Sequence, residues 1–149
     1  RASCHIYLLP SARIHIVSLL QAMSFGLVPI VTDGWAFDEY IDHDRNGIIV
    51  NGRQGKVSWF DAEEGMLREN YSSMYSSNTR VAQGVIEAMA RLIEDRTLRQ
   101  RIGMEARTDI EHRYNLTNWN LGLKAAFDFA MGVEVGTDSM PHDALEGSK

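Results

Sequence analysis

Apolar residues near the start of the chain form two short runs that flank a helical pattern. The runs cover residues 4–9 and 27–31, and each has the length of a strand. Between them, apolar residues recur at helical spacing at Ile16, Leu19, Leu20 and Met23. Gly26 follows and is expected to end the helix by adopting a positive φ. The order predicts a βαβ unit with parallel strands, in which the second run is a central strand covered on both faces.

The pattern continues with a loop over residues 33–36 and a short helical turn over 37–41. Residues 42–47 are rich in Asp, Asn and Gly, which favours a turn, and the distal glutamate of a calcium loop is missing. Residues 48–50 form a third apolar run and are predicted as a strand. Residues 52–78 are polar and lack sustained periodicity, which predicts a long surface excursion.

Helical spacing returns after this excursion and predicts three helices. Asn78 or Thr79 is expected to cap the first, whose apolar stripe is Val81, Val85, Ala88, Met89, Leu92 and Ile93. Asp95 is expected to cap the second, over residues 97–114, with the stripe Leu98, Ile102, Ala106 and Ile110. Thr117 is expected to cap the third, with the apolar side Trp119, Leu123, Ala126, Phe127 and Ala130. Residues 132–149 are predicted to form a flexible tail.

The composition of the chain argues against several classes of protein. The 149 residues are 44% hydrophobic and carry a formal charge of −5, which argues against a protein that binds nucleic-acid backbones. Neither a transmembrane segment nor a signal peptide is visible, so a cytoplasmic setting is expected, with or without peripheral attachment to a membrane. The single Cys4 is predicted to be a buried, inert thiol. Because the first residue is Arg1 and a strand follows almost at once, we expect a piece of a longer protein.

Several segments resemble, in order, one family of enzymes. Pro10-Ser11 and residues 20–31, LQAMSFGLVPIV, resemble the "PS…LEAMAxGxPVV" signature of GT-B glycosyltransferases of the retaining group 1, or glycogen-synthase-like, set. Residues 33–50 look like the segment that follows it, through Asp33-Gly34, Glu39 and Asn46-Gly47. The helices over 79–114 and the Trp-containing residues 116–119 are similar to the family's closing helices. The resemblance covers residue 6 to about residue 129, apart from the excursion.

The resemblance implies an α/β fold: a Rossmann-like parallel sheet, the second half of a GT-B C-terminal domain, followed by C-terminal helices. Residues 1–131 would be a partial nucleotide-sugar-binding domain. The implied activity is that of a hexosyltransferase, which moves a sugar with retention from a nucleotide-diphosphate sugar to a glycan or lipid-linked acceptor. The implied partner is the missing N-terminal half of the protein, without which this piece is expected to be inactive. No metal or other cofactor is expected.

The resemblance also suggests where a donor would bind. Rossmann-like sheets bind ligands beyond the carboxyl ends of their strands, and the amino end of the first helix favours a diphosphate there. The predicted donor-binding residues are Arg13, His15, Ile16, Val17 and Gln21. The predicted loop near the donor contains Asp33, Gly34, Trp35 and Glu39. Ser18 is interpreted as a hydroxyl that bonds to backbone, and no catalytic residue is assigned.

The chain departs from the family signature at three places, which leaves alternatives open. Gln21 replaces the glutamate that holds the donor ribose; it is either a ribose contact or a polar residue at the edge of a core helix. Arg13 replaces the glutamate that faces the donor sugar; it is either a phosphate ligand or a solvated cation. Residues 14–16 replace the glycine-rich turn. A catalytically inactive relative that serves as a binding or scaffold module is therefore the alternative function.

Overall fold

The computed structural model describes residues 4–11, 14–34, 36–52, 60–61, 66–67 and 77–132. Its main sheet has three parallel strands, β1 (Ile6–Leu9), β2 (Val28–Thr32) and β3 (Ile48–Val50). Two short strands, β4 (Phe60–Asp61) and β5 (Met66–Leu67), pair with each other in antiparallel fashion. The rest of the predicted excursion lies outside the described residues.

Within the described residues, four α-helices accompany the sheet: α1 (Ile16–Ser24), α2 (Thr79–Glu94), α3 (Arg96–His112) and α4 (Leu116–Ala130). A 3-10 helix, Phe37–Glu39, lies between β2 and β3. The chain divides into two compact units, Arg1–Ile110 and Glu111–Lys149. None of the helices in the described ranges has the length and apolar character that crossing a membrane requires.

The sheet confirms the predicted βαβ unit. β2 pairs with β1 on one side and with β3 on the other, and Leu9 and Val31 stand opposite each other in the register. Gly26 ends the turn after α1 with φ of 70°, and its N–H donates to the Met23 carbonyl at 2.8 Å. A residue with a β-carbon would be strained at that φ, which explains the glycine.

Both faces of the sheet are covered, and the strand residues alternate between two apolar clusters. Val28 and Ile30 join the first cluster with residues of α2 and α3. Val31 joins the second with Leu19 and Met23 of α1. All five residues of β2 are buried, as expected for the central strand of a sheet with helices on both faces.

The helix ends largely follow the predicted capping signals. The side chain of Asn78 accepts the Val81 N–H at 3.1 Å, and the side chain of Asp95 accepts the Leu98 N–H at 2.8 Å. Each of these bonds satisfies a backbone donor that the first turn of a helix leaves unpaired.

Four predictions about capping and burial are wrong. The last helix is capped by Asn115, which accepts the Asn118 N–H at 2.9 Å, so Thr117 lies inside α4. Cys4 is exposed, because β1 begins only at Ile6. Ile93 is 62% exposed, since the buried face of α2 runs through Leu92 and Ile93 lies about 100° further round the helix. The predicted apolar side of α4 is also exposed, and α4 has no buried residue.

Asp44 supplies the left-handed conformation in the turn over residues 42–47, with φ of 64°. Gly47 is needed there because of the close packing: a β-carbon on it would lie 2.8 Å from Ile41 Cγ2 and 2.9 Å from Pro29 Cγ. Arg91 of α2 donates to the Asp44 carboxylate at 2.7 Å and holds the pKa of that carboxyl below its usual value. Beside the turn, the His43 imidazole accepts the Ile49 N–H at 3.0 Å.

A partly buried charged network joins the same turn to α3. Arg45 donates to both carboxylate oxygens of Asp109, at 3.1 and 2.7 Å, and these bonds raise the pKa of Arg45. Asn46 is fully buried and donates from its side chain to Asp109 and to the Tyr40 carbonyl. The amide oxygen of Asn46 accepts the Asp42 N–H at 2.8 Å. The polar groups of Asn46 are thereby satisfied without water.

α3 crosses the amino ends of the strands with its backbone close to that of the turn before β2. A β-carbon on Gly103 would lie 2.4 Å from the Gly26 carbonyl oxygen. Just along the helix, Ile102 packs in the first apolar cluster and Ala106 in the second. The helix therefore closes both clusters at this edge of the sheet.

We expect Asp109→Ala to lower the free energy of unfolding by about 3 kcal/mol, because it leaves Arg45 and the buried Asn46 without their shared acceptor. Urea denaturation measures the change. Glu105→Ala is the matched control: its carboxylate lies 3.6 Å from Arg45 but is 45% exposed, so its loss should cost less than about 1 kcal/mol. Equal effects of the two substitutions would contradict the role given to burial.

We expect Gly103→Ala to destabilise the chain by about 1–2 kcal/mol, since the new methyl group meets backbone rather than a movable side chain. Gly122→Ala in α4 is the control, because nothing lies within 4 Å of a β-carbon there. That substitution should leave stability unchanged or raise it by about 0.5–1 kcal/mol through the better helix propensity of alanine. Thermal unfolding followed by circular dichroism compares the two variants, and an unaltered midpoint for Gly103→Ala would refute the close contact.

Candidate functional site

The candidate site lies where β1 and β2 end, at the carboxyl edge of the sheet. The Thr32 hydroxyl donates to the Ser11 carbonyl, which ties the segment after β1 to the end of β2. Thr32 is fully buried, so this bond supplies the partner that its hydroxyl needs away from water. The two strand ends are therefore held side by side, as the prediction of a crevice requires.

Asp33 fastens the loop after β2 to the end of β3. Both of its carboxylate oxygens accept the Gly52 N–H, at 2.9 and 3.0 Å, and its own N–H donates to the Val50 carbonyl at 3.0 Å. Glu39, the other carboxylate of this loop, is exposed on the 3-10 helix.

A chain of hydroxyl groups supports the amino end of α1. The Tyr7 hydroxyl donates to Ser18 Oγ at 2.9 Å, and Ser18 Oγ donates to the His15 carbonyl at 2.9 Å. This confirms the interpretation of Ser18 as a hydroxyl that bonds to backbone. His15 is the N-cap residue of α1, and its side chain makes no capping bond. The first-turn N–H groups of α1 are thus not covered by a side chain of the cap.

Several predicted donor-binding side chains are exposed on α1. Val17 and Gln21 are four residues apart, so they share one face of the helix, and Val17 is 77% exposed. Ile16, which the periodicity placed on the apolar face, is 37% exposed in the first turn, while Leu19 and Met23 are fully buried. His15 is also exposed. The two other predicted residues, Arg13 and Trp35, lie outside the described residues.

The loop that follows β2 contains a left-handed residue that sequence reasoning missed. Ala36 has φ of 66° and ψ of 7°, a conformation that costs a non-glycine residue about 1 kcal/mol. Directly after it, Phe37 is fully buried in the second apolar cluster, and Gly34, two residues before Ala36, is buried too. The burial of Phe37 holds the strained conformation in place. Alanine itself carries no signal for this geometry.

Tyr40 is the residue that directly follows the 3-10 helix. Burial raises the pKa of its hydroxyl, and the neighbouring Glu39 carboxylate raises it further. The group therefore stays protonated and neutral at physiological pH. Tyr40 packs its ring against the second apolar cluster, so it anchors the loop that carries Asp33 and Glu39.

The structure brings the two groups of predicted residues to one edge of the sheet. His15, Ile16 and Val17 lie where α1 begins, and Asp33 and Gly34 lie where β2 ends. Thr32, which was not predicted, joins the two segments through Ser11. Its signal in the sequence is a hydroxyl residue that ends an otherwise apolar strand.

Comparisons of the chain with protein-family models, with curated proteins and with solved structures found no match.

We expect Thr32→Val to cost about 1–2 kcal/mol, because valine keeps the shape but removes the donor that satisfies the Ser11 carbonyl. Urea denaturation gives the free energy of unfolding, and amide hydrogen exchange should become faster around Ser11. Thr108→Val, on the exposed side of α3, is the control and should change neither quantity. An unchanged exchange rate near Ser11 would show that this bond does not hold the strand ends together.

Proposed function

We propose that the chain forms part of the donor-binding domain of a retaining GT-B glycosyltransferase. The single observation that carries the proposal is the parallel βαβ unit, in which two strand ends and the amino end of α1 meet at one edge of the sheet. Ligands of open α/β sheets bind at such an edge. The signature-like residues 10–11 and 20–31 belong to the same unit.

The chemistry of this edge suits a nucleotide diphosphate. The N–H groups of the first turn, which the side chain of the N-cap does not cover, and the dipole at the amino end of α1 attract negative charge, and His15 would provide a further donor beside them. Arg13, two residues earlier in the chain, would contribute a cation for the phosphates. The exposed amide of Gln21 would exchange hydrogen bonds with the ribose hydroxyls of the donor.

The proposed reaction moves a hexosyl group from the nucleotide diphosphate to a hydroxyl of a glycan or lipid-linked acceptor. The bond between the sugar and the diphosphate breaks, a bond to the acceptor oxygen forms on the same face, and the acceptor proton is released. Groups that stabilise the departing diphosphate lower the barrier, and the amino end of α1 and Arg13 would be such groups. Asp33 and the rest of its loop would border the donor on the other side.

A second candidate function is a binding module without transferase activity. The observation that favours it is the apolar amino end of α1: residues 14–16 stand where the family signature has its glycine-rich turn, and both Ile16 and the adjacent Val17 are exposed. Side chains there hold a ligand away from the backbone N–H groups. Nucleotide binding separates the two candidates, since only the first requires it.

Calorimetric titration of UDP- and GDP-sugars into the full-length protein that contains this chain tests the proposal. We expect one of these donors to bind saturably and to be turned over in the presence of acceptor. Gln21→Glu should tighten binding by about fivefold, because a charged acceptor bonds ribose hydroxyls more strongly than an amide does. Gln21→Ala should weaken binding by a similar factor.

Gln83→Ala is the matched control, because Gln83 is an exposed glutamine on α2 that bonds only locally to Glu87. It should leave donor binding unchanged. If no nucleotide sugar binds to the full-length protein, the proposal fails and the binding module is favoured. If the Gln21 and Gln83 variants behave alike, the donor does not sit on α1.

A further inference from the structure

A groove of about 760 Å³ lies at the opposite, amino edge of the sheet, between the turn before β2 and one side of α3. Its lining combines basic and apolar side chains, chiefly His5, Phe25, Arg96, Arg99, Met104 and Arg107. Among the described residues that line it, none carries a carboxylate. The groove lining is therefore basic, although Arg96 also borders a neighbouring hollow that contains Glu87, Glu94 and Asp95.

The orientation of one of these arginines is fixed by backbone rather than by an acid. Nη1 of Arg99 donates to the Leu92 carbonyl at 2.6 Å and lies 3.4 Å from the Ile93 carbonyl, at the end of α2. These neutral acceptors hold the guanidinium in place without cancelling its charge. A cation held in this way loses little side-chain entropy when it binds an anion.

The arginines stand where a helix disfavours them. Arg96 and Arg99 occupy the first turn of α3, at the positive end of the helix dipole, where, among the described residues, the only acidic group on the helix end is the capping Asp95 and the turn itself contains no acidic residue. They are also three residues apart, so their like charges repel across one face. Two arginines in this turn lower the stability of the helix, and no structural contact of Arg96 compensates for it among the described residues. Such an arrangement is typical of a binding surface.

We propose that this groove is a second ligand site and that it binds the phosphate group of a phosphorylated ligand. The planar guanidinium groups of Arg96 and Arg107 match phosphate oxygens in pairs. Phe25 and Met104, which are 72% and 71% exposed, would cover the organic part of the ligand. The site is separated from the proposed donor site by the five-residue length of β2, about 17 Å. It does not depend on the proposed function.

Inorganic pyrophosphate is the probe for the phosphate chemistry, titrated calorimetrically into the whole chain. We expect saturable binding that weakens by about tenfold or more in Arg96→Gln/Arg107→Gln, because charged hydrogen bonds are lost. Arg99 stays unchanged in this variant, since it also caps α2. Arg80→Gln is the control: it removes one positive charge from an exposed position on α2, outside the groove, and should not alter binding.

Nuclear magnetic resonance locates the probe in the same samples. Pyrophosphate should shift the amide signals of Gly26 and Gly103, which line the groove, more than that of Gly34 at the donor edge. Sedimentation with phosphatidylcholine vesicles that contain phosphatidylserine tests whether the phosphate comes from a lipid headgroup. Vesicle binding that is lost in the double variant would support a lipid source, and pyrophosphate binding alone would support a soluble one.

The proposal is overturned if the chain binds neither pyrophosphate nor the vesicles. It is overturned equally if Arg80→Gln weakens binding as much as the double variant does, since binding would then not depend on the arginines of the groove. Amide shifts confined to Gly34 would assign the anion to the donor edge. Circular dichroism of each variant confirms that a loss of binding does not come from unfolding.

Discussion

The complete burial of β2 constrains the rest of the first compact unit. A strand with apolar residues on both faces has to be covered from both sides, so α1 packs against one face and α2 against the other, while α3 contributes residues to both apolar clusters. Burial also reaches the polar end of the strand. Thr32 has no access to water, and its hydroxyl must find a partner within the protein. That partner is the Ser11 carbonyl, so the geometry of the candidate site follows directly from the burial of the strand.

The amino edge of the sheet is held by contacts of a different kind. There the backbone of α3 lies against the turn before β2, and Asp109 of the same helix accepts from Arg45 and Asn46 before β3. Buried charges are costly in free energy unless each one is fully paired. A displaced α3 would leave the Asp109 carboxylate unpaired, and this cost fixes the position of the helix more than the attraction between the charges does. The groove lined by Arg96 and Arg107 is shaped by the same rigid placement.

Periodicity and capping signals in the sequence were sufficient for most of the fold. They located the three parallel strands, the positive φ of Gly26 and the caps at Asn78 and Asp95, because each of these is decided by neighbouring residues. Contacts between distant residues could not be predicted: Arg45 and Asp109 are 64 positions apart, and nothing in either segment indicates the other. The exposure of α4 was missed for a related reason, since an apolar stripe shows that a face can be buried but not what buries it.

The candidate site was predictable in place but not in detail. The rule for parallel strands pointed to the carboxyl edge of the sheet, and the structure places both His15 and Asp33 at that edge. The parts that give the edge its shape carry weaker signals. Ala36 adopts a conformation that its residue type disfavours, and the hydroxyl of Thr32 matters only because of its burial. The proposal of sugar transfer depends on short segments that resemble the GT-B signature. The periodicity of the sequence alone would not have suggested this function.

Two glycines in the helices differ in how they limit the divergence of this chain. At Gly84 of α2, an added methyl group would meet Cγ1 of Val50 at 2.5 Å, so a smaller residue at position 50 would make room for it. At Gly103 the obstacle is a carbonyl oxygen, and no change of side chain removes a carbonyl. Among descendants of this sequence, positions 84 and 50 can therefore change together as a covarying pair. Position 103 stays glycine for as long as α3 packs against the turn before β2.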